Sequence, residues 1–540
     1  MHMTIQNKTE PAWYRWYILT VLVGVYAFSY VDRQIVTVLA PFLKHDLGVS
    51  DAQLGILYGT TFALFYGLFG IALARLADGW SRVRTLALGL SFWSVMTALS
   101  GAAGNFTQLG LARIGVGVGE ASSTPAAVSI LGDYFDKSQR ATVLGLYSIG
   151  VYVGAGLSLV IGGSVVAFWQ THFPNPEAAP LGLAGWQAAF MAVGVPGLLL
   201  ALLITLTIRE PVRGRLEGVV HLGDATPFRS ALREASAMLP PWNILRLVRE
   251  GYPRTEIRKN LMWLALAAVF AFLIIRFTDG LLSADRRPVV GYLAGLEITS
   301  NVIQWVAMSI AFYAVASWFQ SLRLRDPEAS SMLTSSRTFC ALTLAGGFLA
   351  FSMNATTGFV FVYANRYLGF TAANGLQLGA IAAICGGLGI TVSGYLADYA
   401  RRRFVTGRLW FTSLTAAVFT LASLVQFTTQ NVSLFYMAFA VSTFFVPMWF
   451  APNQATTQDL VTPRLRGTAF AMYSLGANIL GLGLGPYTVG LISDATGDLR
   501  FAILCALSTL PFTILVLAYA ARHLPADERV AQRAAMGMTQ

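Results

Sequence analysis

Residues 140–150 read RATVLGLYSIG and residues 466–476 read RGTAFAMYSLG, five identities in eleven positions at a separation of 326. A second pair has nearly the same offset. Leu76-Ala77-Asp78 and Leu396-Ala397-Asp398 lie 320 apart, each after an apolar run and before a basic loop: Arg82 and Arg84 in one case, Arg401, Arg402 and Arg403 in the other. Two independent pairs with almost one spacing mark a duplicated unit. The sequence around them divides into fourteen apolar runs, about 16–39, 53–76, 85–103, 108–131, 141–167, 186–208, 261–281, 298–321, 338–364, 373–397, 409–428, 433–456, 467–491 and 501–521. A helix needs about 20 apolar residues to cross the hydrocarbon core, and irregular backbone cannot face lipid. The expected fold is therefore an all-α membrane bundle of two six-helix halves, with two additional transmembrane helices between them, 14 in total.

The expected boundaries are residues 1–208 for the first six-helix bundle and 209–260 for a cytoplasmic basic linker with amphipathic helices at 228–238 and 242–249. An inserted transmembrane hairpin follows at 261–337, and the second bundle occupies 338–540. An even number of added spans returns the chain to its starting side. The amphipathic pieces suit a membrane face, and the hairpin reads as lipid-facing bulk. Ser50 and Gln53 have capping-box spacing and should open the second helix. The first run is too long for a signal-peptide core and is expected to be retained.

Only 12% of the 540 residues are charged, where a soluble domain carries roughly a quarter. The formal net charge is +11, yet with the N-terminus in the cytoplasm most of the 37 Lys and Arg fall in cytoplasmic loops. The surplus thus reports orientation and needs no nucleic-acid partner. Both termini are expected in the cytoplasm. Cys340, Cys385 and Cys505 lie in apolar runs, so no disulfide framework or thiolate metal site is expected. All five His residues fall outside the spans, which argues against an intramembrane enzyme.

Four charges stand inside the membrane runs of the first half: Asp32, Arg33, Arg113 and Glu120. Each costs on the order of 2.5–3.5 kcal/mol at the bilayer centre, so each needs a partner or a wet cavity. Arg113 and Glu120 are two turns apart on one helix face. Asp32 and Glu120 are expected as proton carriers. Arg113 and Arg33 are the candidates for an anionic substrate group, since a guanidinium stays charged and presents a fork of donors. In the second half Asn354, Tyr363, Phe445, Trp449 and Asn453 are the candidate contacts for the apolar body of a substrate.

A 6+6 repeat with Asp-containing basic loops after the second helix of each half resembles the major facilitator superfamily. The family likeness implies that Asp78, Arg82, Arg84, Arg140, Asp398 and Arg402 help latch the two halves on the cytoplasmic side. It also implies that Asp32 pairs with Arg113. The run Phe28-Ser29-Tyr30-Val31-Asp32-Arg33, with Ala112 to Ser122 (ARIGVGVGEAS), Pro125 and Gly132-Asp133-Tyr134-Phe135, is similar to the Spinster group of that superfamily. This resemblance implies a secondary active transporter in the plasma membrane, moving an amphipathic, lipid-like organic anion by alternating access. A proton gradient is the expected driving force, with no cofactor and a monomer in the bilayer. The alternative substrate is a hydrophilic organic anion such as a sugar acid.

Overall fold

A computed structural model describes residues 11–136, 139–175, 178–212, 226–283, 286–293, 295–462 and 465–535. The N-terminal helices are α1 (Ala12–Leu47), α2 (Asp51–Gly55), α3 (Thr61–Gly79), α4 (Arg82–Ser100), α5 (Phe106–Glu120), α6 (Ser123–Tyr134), α7 (Arg140–His172) and α8 (Gly185–Thr207). The middle of the chain forms α9 (Pro227–Ser236), α10 (Trp242–Arg249), α11 (Arg254–Gly280), the strands β1 (Val289–Leu293) and β2 (Leu296–Thr299), then α12 (Ser300–Arg325) and α13 (Pro327–Ser335). The C-terminal helices are α14 (Arg337–Leu368), α15 (Gly375–Arg403), α16 (Gly407–Thr428), α17 (Val432–Phe445), α18 (Phe450–Asp459), α19 (Arg466–Gly481), α20 (Gly485–Thr496), α21 (Leu499–Leu507) and α22 (Leu510–Ala535). Among the described residues, 13 helices are long and apolar enough to cross a membrane. The chain is a multi-pass helical membrane protein.

Where the helices break, proline supplies the reason. A proline ring clashes with the carbonyl four residues before it and removes a hydrogen bond. Pro125 acts on Ala121, and the expected single run 108–131 is instead two shorter helices, α5 and α6, parted at Ala121 and Ser122. Pro486 acts on Leu482, where α19 gives way to α20. Pro447 lies within a short 3-10 turn, Val446–Trp449, between α17 and α18, and Pro452 in the first turn of α18. One π turn, Ile56–Thr60, joins α2 to α3. The capping box at Ser50 and Gln53 is present as expected. Two findings depart from expectation. The loop between α11 and α12 carries a two-stranded antiparallel ribbon in a chain expected to be all-α, with Val289 opposite Thr299 and Gly295 turning at φ 81°. The chain after residue 521, read as a tail, continues as helix to Ala535.

One apolar cluster belongs to the N-terminal helices, around Ile18, Leu22, Trp93 and Ile130, and another to the C-terminal helices, around Leu342, Leu409 and Leu517. A third, containing Ile35, Leu39, Phe190, Phe359 and Phe370, joins the two groups. The groups meet along two flanks of different character. On one flank α7 and α15 approach through glycine: a Cβ on Gly156 would collide with the Gly379 carbonyl oxygen, and one on Gly163 with that of Ala372. On the other flank the inserted α12 sits against both groups. Gln304 Nε2 donates to the Gly483 carbonyl at 3.0 Å, Thr60 Oγ1 reaches the same carbonyl at 2.9 Å, and Thr60 also bonds Gln304. The π turn of one group and the helix break of the other thus meet at one inserted amide. The pair α11 and α12 is therefore more than lipid-facing bulk: α11 faces outward for most of its length, while α12 is a packing partner.

Removing the amide takes away one of the two donors at the Gly483 carbonyl and leaves Thr60 to serve it, a loss of about 0.5–1.5 kcal/mol. Gln304→Leu is expected to lower the Tm of the purified protein accordingly. An unchanged Tm would show that α12 does not unfold with the rest.

Candidate functional site

The four intramembrane charges form two crossed ion pairs between α1 and α5. Arg113 Nη1 donates to Asp32 Oδ1 at 3.0 Å, and both side chains are wholly buried. Arg33 Nη2 donates to Glu120 Oε2 at 3.0 Å, which also accepts from Ser29 Oγ at 2.7 Å. Asp32 Oδ2 is taken by the Thr97 hydroxyl of α4. Glu120 is the last residue of α5, where the helix dipole opposes a negative charge, and Arg33 offsets that cost. Ser29, Asp32 and Arg33 share one face of α1 because they are three and four residues apart.

The pairs leave hydrogen-bonding capacity unused. Arg113 Nε and Nη2, Arg33 Nε and Glu120 Oε1 are buried without a hydrogen-bond partner. Among the four side chains only Arg33 keeps some exposure, 12% against 0% for the others. Its guanidinium lies 4.0 Å from the Phe62 ring centroid, 4.6 Å from Tyr30 and 5.3 Å from Tyr66, an aromatic cage for a cation. The sequence alone did not mark Thr97, Ser29, Tyr30, Phe62 or Tyr66. The recurrence of aromatics at 58, 62 and 66, one helical face of α2–α3, was the available signal.

The C-terminal candidates are less gathered. Tyr363 belongs to packing: it is fully buried, its hydroxyl donates to the Phe427 carbonyl at 2.8 Å, and its ring stands among Phe427 and Phe435. Asn354 commits its amide to the Ala350 carbonyl of its own helix at 2.7 Å. Asn453 accepts from Thr412 at 3.1 Å and keeps a buried, unpartnered Nδ2. Trp449 packs with Leu349, Ala416 and Tyr473, and Phe445 is half-buried beside Phe444.

At one end of the bundle the two groups are fastened together. Asp51 receives Lys44 Nζ at 2.5 Å, Arg366 of α14 at 3.1 Å and Ser493 of α20 at 2.6 Å. Asp494 caps the start of α2 from the opposite group, accepting from the Asp51 and Ala52 amides at 3.0 and 2.8 Å. Behind this seal a small pocket is lined by Val36, Thr37, Tyr58, Gly358 and Pro486 among others. In the sequence these charges look like ordinary loop residues.

At the other end two of the expected latch residues, Arg82 and Asp398, each brace their own group. Arg82 is buried and binds Glu210 at 2.8 Å, Asp133, and the Pro211 carbonyl at 2.8 Å. Burial alone would raise the Glu210 carboxyl, but the Val83 amide, Arg82 and Ser81 outweigh it and hold the group below its usual range. Asp398 pairs with Arg408 at 2.7 Å, Arg408 also pairs with Asp459 at 2.7 Å, and Arg401 pairs with Glu528 at 2.7 Å. Asp78, Arg84 and Arg402 are exposed. Arg140 opens α7, and its side chain lies outside the described residues.

Residues 22–486 and 343–539 match the family model described as Major Facilitator Superfamily. The chain belongs to the Major Facilitator Superfamily. It is thus built as a transporter and not as an enzyme. Within this superfamily it is 28% identical to an MFS-type efflux pump of Mycolicibacterium smegmatis over 89% of this chain and 85% of that one. It is 28% identical to protein spinster of Drosophila melanogaster over 41% of this chain and 33% of that one. It is 32% identical to a probable L-galactonate transporter of Escherichia coli over 32% of this chain and 35% of that one. The chain thus spans only about a third of the last two relatives. The fold is similar to a bacterial homologue of the human lysosomal transporter Spinster in an inward-facing, occupied conformation, with TM-score 0.63, 23% identity and 98% of each chain covered. The likeness to the Spinster group agrees with these relatives.

Breaking a buried ion pair by removing one partner costs about 3–5 kcal/mol, whereas neutralising both costs far less. Arg113→Met is therefore expected to destabilise the protein strongly, and Asp32→Asn with Arg113→Met to recover most of the loss. A double-mutant cycle on thermal unfolding measures the coupling, and additive losses would mean that the pair is not coupled. At the sealed end, Asp494→Ala removes two charge-assisted hydrogen bonds of about 1.5–3 kcal/mol each. It should raise maleimide labelling of Thr37→Cys from that side at least tenfold in a background free of other cysteines.

Proposed function

We propose that this chain is a proton-coupled secondary active transporter of the plasma membrane that moves an amphipathic organic anion by alternating access. Its architecture on this reading is six, two and six transmembrane helices, with α5 and α6 together forming one span, both termini cytoplasmic and the chain a monomer without cofactor. One observation carries the proposal: two carboxylates are buried inside the membrane, each held by a guanidinium on the facing helix, in a bundle whose two groups are fastened at one end by reversible polar contacts. A buried ion pair is a poor device for stability. Unused donors on Arg113 and an unused acceptor on Glu120 favour exchange over static packing.

Thr97 supports the proton role. Its one hydroxyl proton has two acceptors, the Asp32 carboxylate and the Trp93 carbonyl at 3.0 Å. With Asp32 ionised, Thr97 donates to it; with Asp32 protonated, Asp32 donates and Thr97 turns to Trp93. Both protonation states are satisfied without moving a helix. Protonating Asp32 frees Arg113, and protonating Glu120 frees Arg33, so proton arrival and anion binding exchange partners at the same guanidinium groups. Arg33 takes the anionic group first because it alone among the four has access, and Tyr30, Phe62 and Tyr66 around it suit an apolar body. Phe445, Trp449, Asn354 and Asn453 supply the opposing wall. Asp51, Arg366 and Asp494 form the gate on the far side, while Asp78, Arg82, Arg84, Arg140, Asp398 and Arg402 act as the latch on the cytoplasmic side.

A sugar acid is the second reading, favoured by the likeness to the probable L-galactonate transporter. Purified protein in liposomes tests both. Asp32→Asn and Glu120→Gln should abolish uptake driven by a pH gradient and keep counterflow; full gradient-driven uptake in both variants would overturn the coupling. Counterflow of labelled lysophospholipid but not of labelled sugar acid is expected, and the reverse result would install the second reading.

A further inference from the structure

The linker helices α9 and α10 carry a face that the fold leaves uncovered. Leu232 is 70% exposed and Trp242 59%, and Phe228, Leu245 and Val248 are exposed with them. Phe228 and Leu232 are four apart, and Trp242, Leu245 and Val248 recur every three residues, so each helix shows a stripe. The same surface is basic. Arg229, Arg249, Arg254 and Arg258 are exposed and form no ion pair among the described residues.

What fixes the depth of this face is a buried amide network. Asn243 of α10 donates to Tyr313 at 2.5 Å, to Ser317 at 2.7 Å and to Asn260 at 3.2 Å. Ser317 also donates to the Ala237 carbonyl at 3.0 Å, and Asn260 donates to Gln320 at 2.8 Å. Arg325 to Glu234 at 3.2 Å and Arg233 to Glu250 at 2.7 Å clamp α9 to the end of α12 and to α10. Asn260 directly precedes Leu261, Met262 and Trp263, the first exposed apolar residues of the outward-facing α11. Ser317 lies eight residues before the end of α12, about 12 Å along its axis. The network therefore holds α10 level with the start of the hydrocarbon, with Trp242 and Trp263 where interfacial aromatics belong.

We propose that α9, α10 and the first turn of α11 form a binding surface for anionic phospholipid. The apolar stripes enter the acyl boundary, and Arg229, Arg249, Arg254 and Arg258 meet the phosphates. A leaflet is the occupant the charges fit: cations without acidic partners lie beside apolar side chains at a fixed interfacial depth. A soluble protein partner would need the same stripes to face water, which the level of Asn260 forbids.

The test uses the full chain with its three cysteines replaced by serine and Leu245→Cys carrying an environment-sensitive fluorophore, reconstituted in phosphatidylcholine vesicles containing phosphatidylglycerol. Brominated phosphatidylglycerol is expected to quench the label more than brominated phosphatidylcholine at equal mole fraction, and the preference should fall with added salt. Arg249→Gln and Arg254→Gln should each reduce the preference about fivefold. Equal quenching by the two lipids, or a preference insensitive to salt, overturns the proposal. Free quenching by aqueous iodide also overturns it and leaves the face to a soluble partner. The salt series needs no arginine variant, so it decides the matter even where a variant fails to fold.

Discussion

Charge withdrawn from water inside a membrane is the constraint on which this structure turns. Asp32 and Arg113 are wholly buried and answer each other across two helices, and Glu120 is answered by Arg33. Neither carboxylate is tolerable there alone, so α1 and α5, whose backbones do not pack directly on each other, are held in fixed register by side chains that reach between them. Thr97 on α4 and the ring of Phe62 on α3 complete the enclosure, which brings four helices into one arrangement. The packing of the N-terminal group is in this sense the solvation shell of four side chains. Pro125 ends α5 at Glu120, and the carboxylate sits at an irregular point of backbone and not in the middle of a regular helix.

The fold was largely legible because lipid makes sequence simple. Apolar runs had to be helices, and the structure forms helices over them. Cost demanded a partner for Asp32, and the family likeness pointed to Arg113 as that partner. Other features were hidden for physical reasons. The break in α5–α6 depends on which carbonyl Pro125 strikes, and hydropathy does not see backbone. Tyr363 looked like a ligand contact because a polar aromatic in a membrane helix advertises chemistry; its hydroxyl is instead bonded to the Phe427 carbonyl. Asp51, Arg366 and Asp494 are far apart in sequence and each looks like ordinary loop charge, so the seal they build exists only in three dimensions.

The segment of α11 and α12 shows the same limit. By hydropathy both were apolar spans. In the structure α11 faces outward, while α12 places Gln304 at the π turn of one group and the helix break of the other. The polar residues of α12, Asn301, Gln304, Ser317 and Gln320 among them, marked the difference, and nothing in the sequence said what each would meet.

The two flanks of the bundle consequently resist motion in different ways. Along α7 and α15, backbone touches backbone at Gly156 and Gly379, with no side chain to unfasten, so separation there gives up only dispersion contacts that fade gradually with distance. Along α12 the contact is a small set of directional bonds to the Gly483 carbonyl, which hold nearly fully until they fail. One flank behaves as a bearing and the other as a catch. Any rocking of the two groups has its threshold set on the side of the insertion, at a carbonyl beside the one that the Pro486 ring displaces.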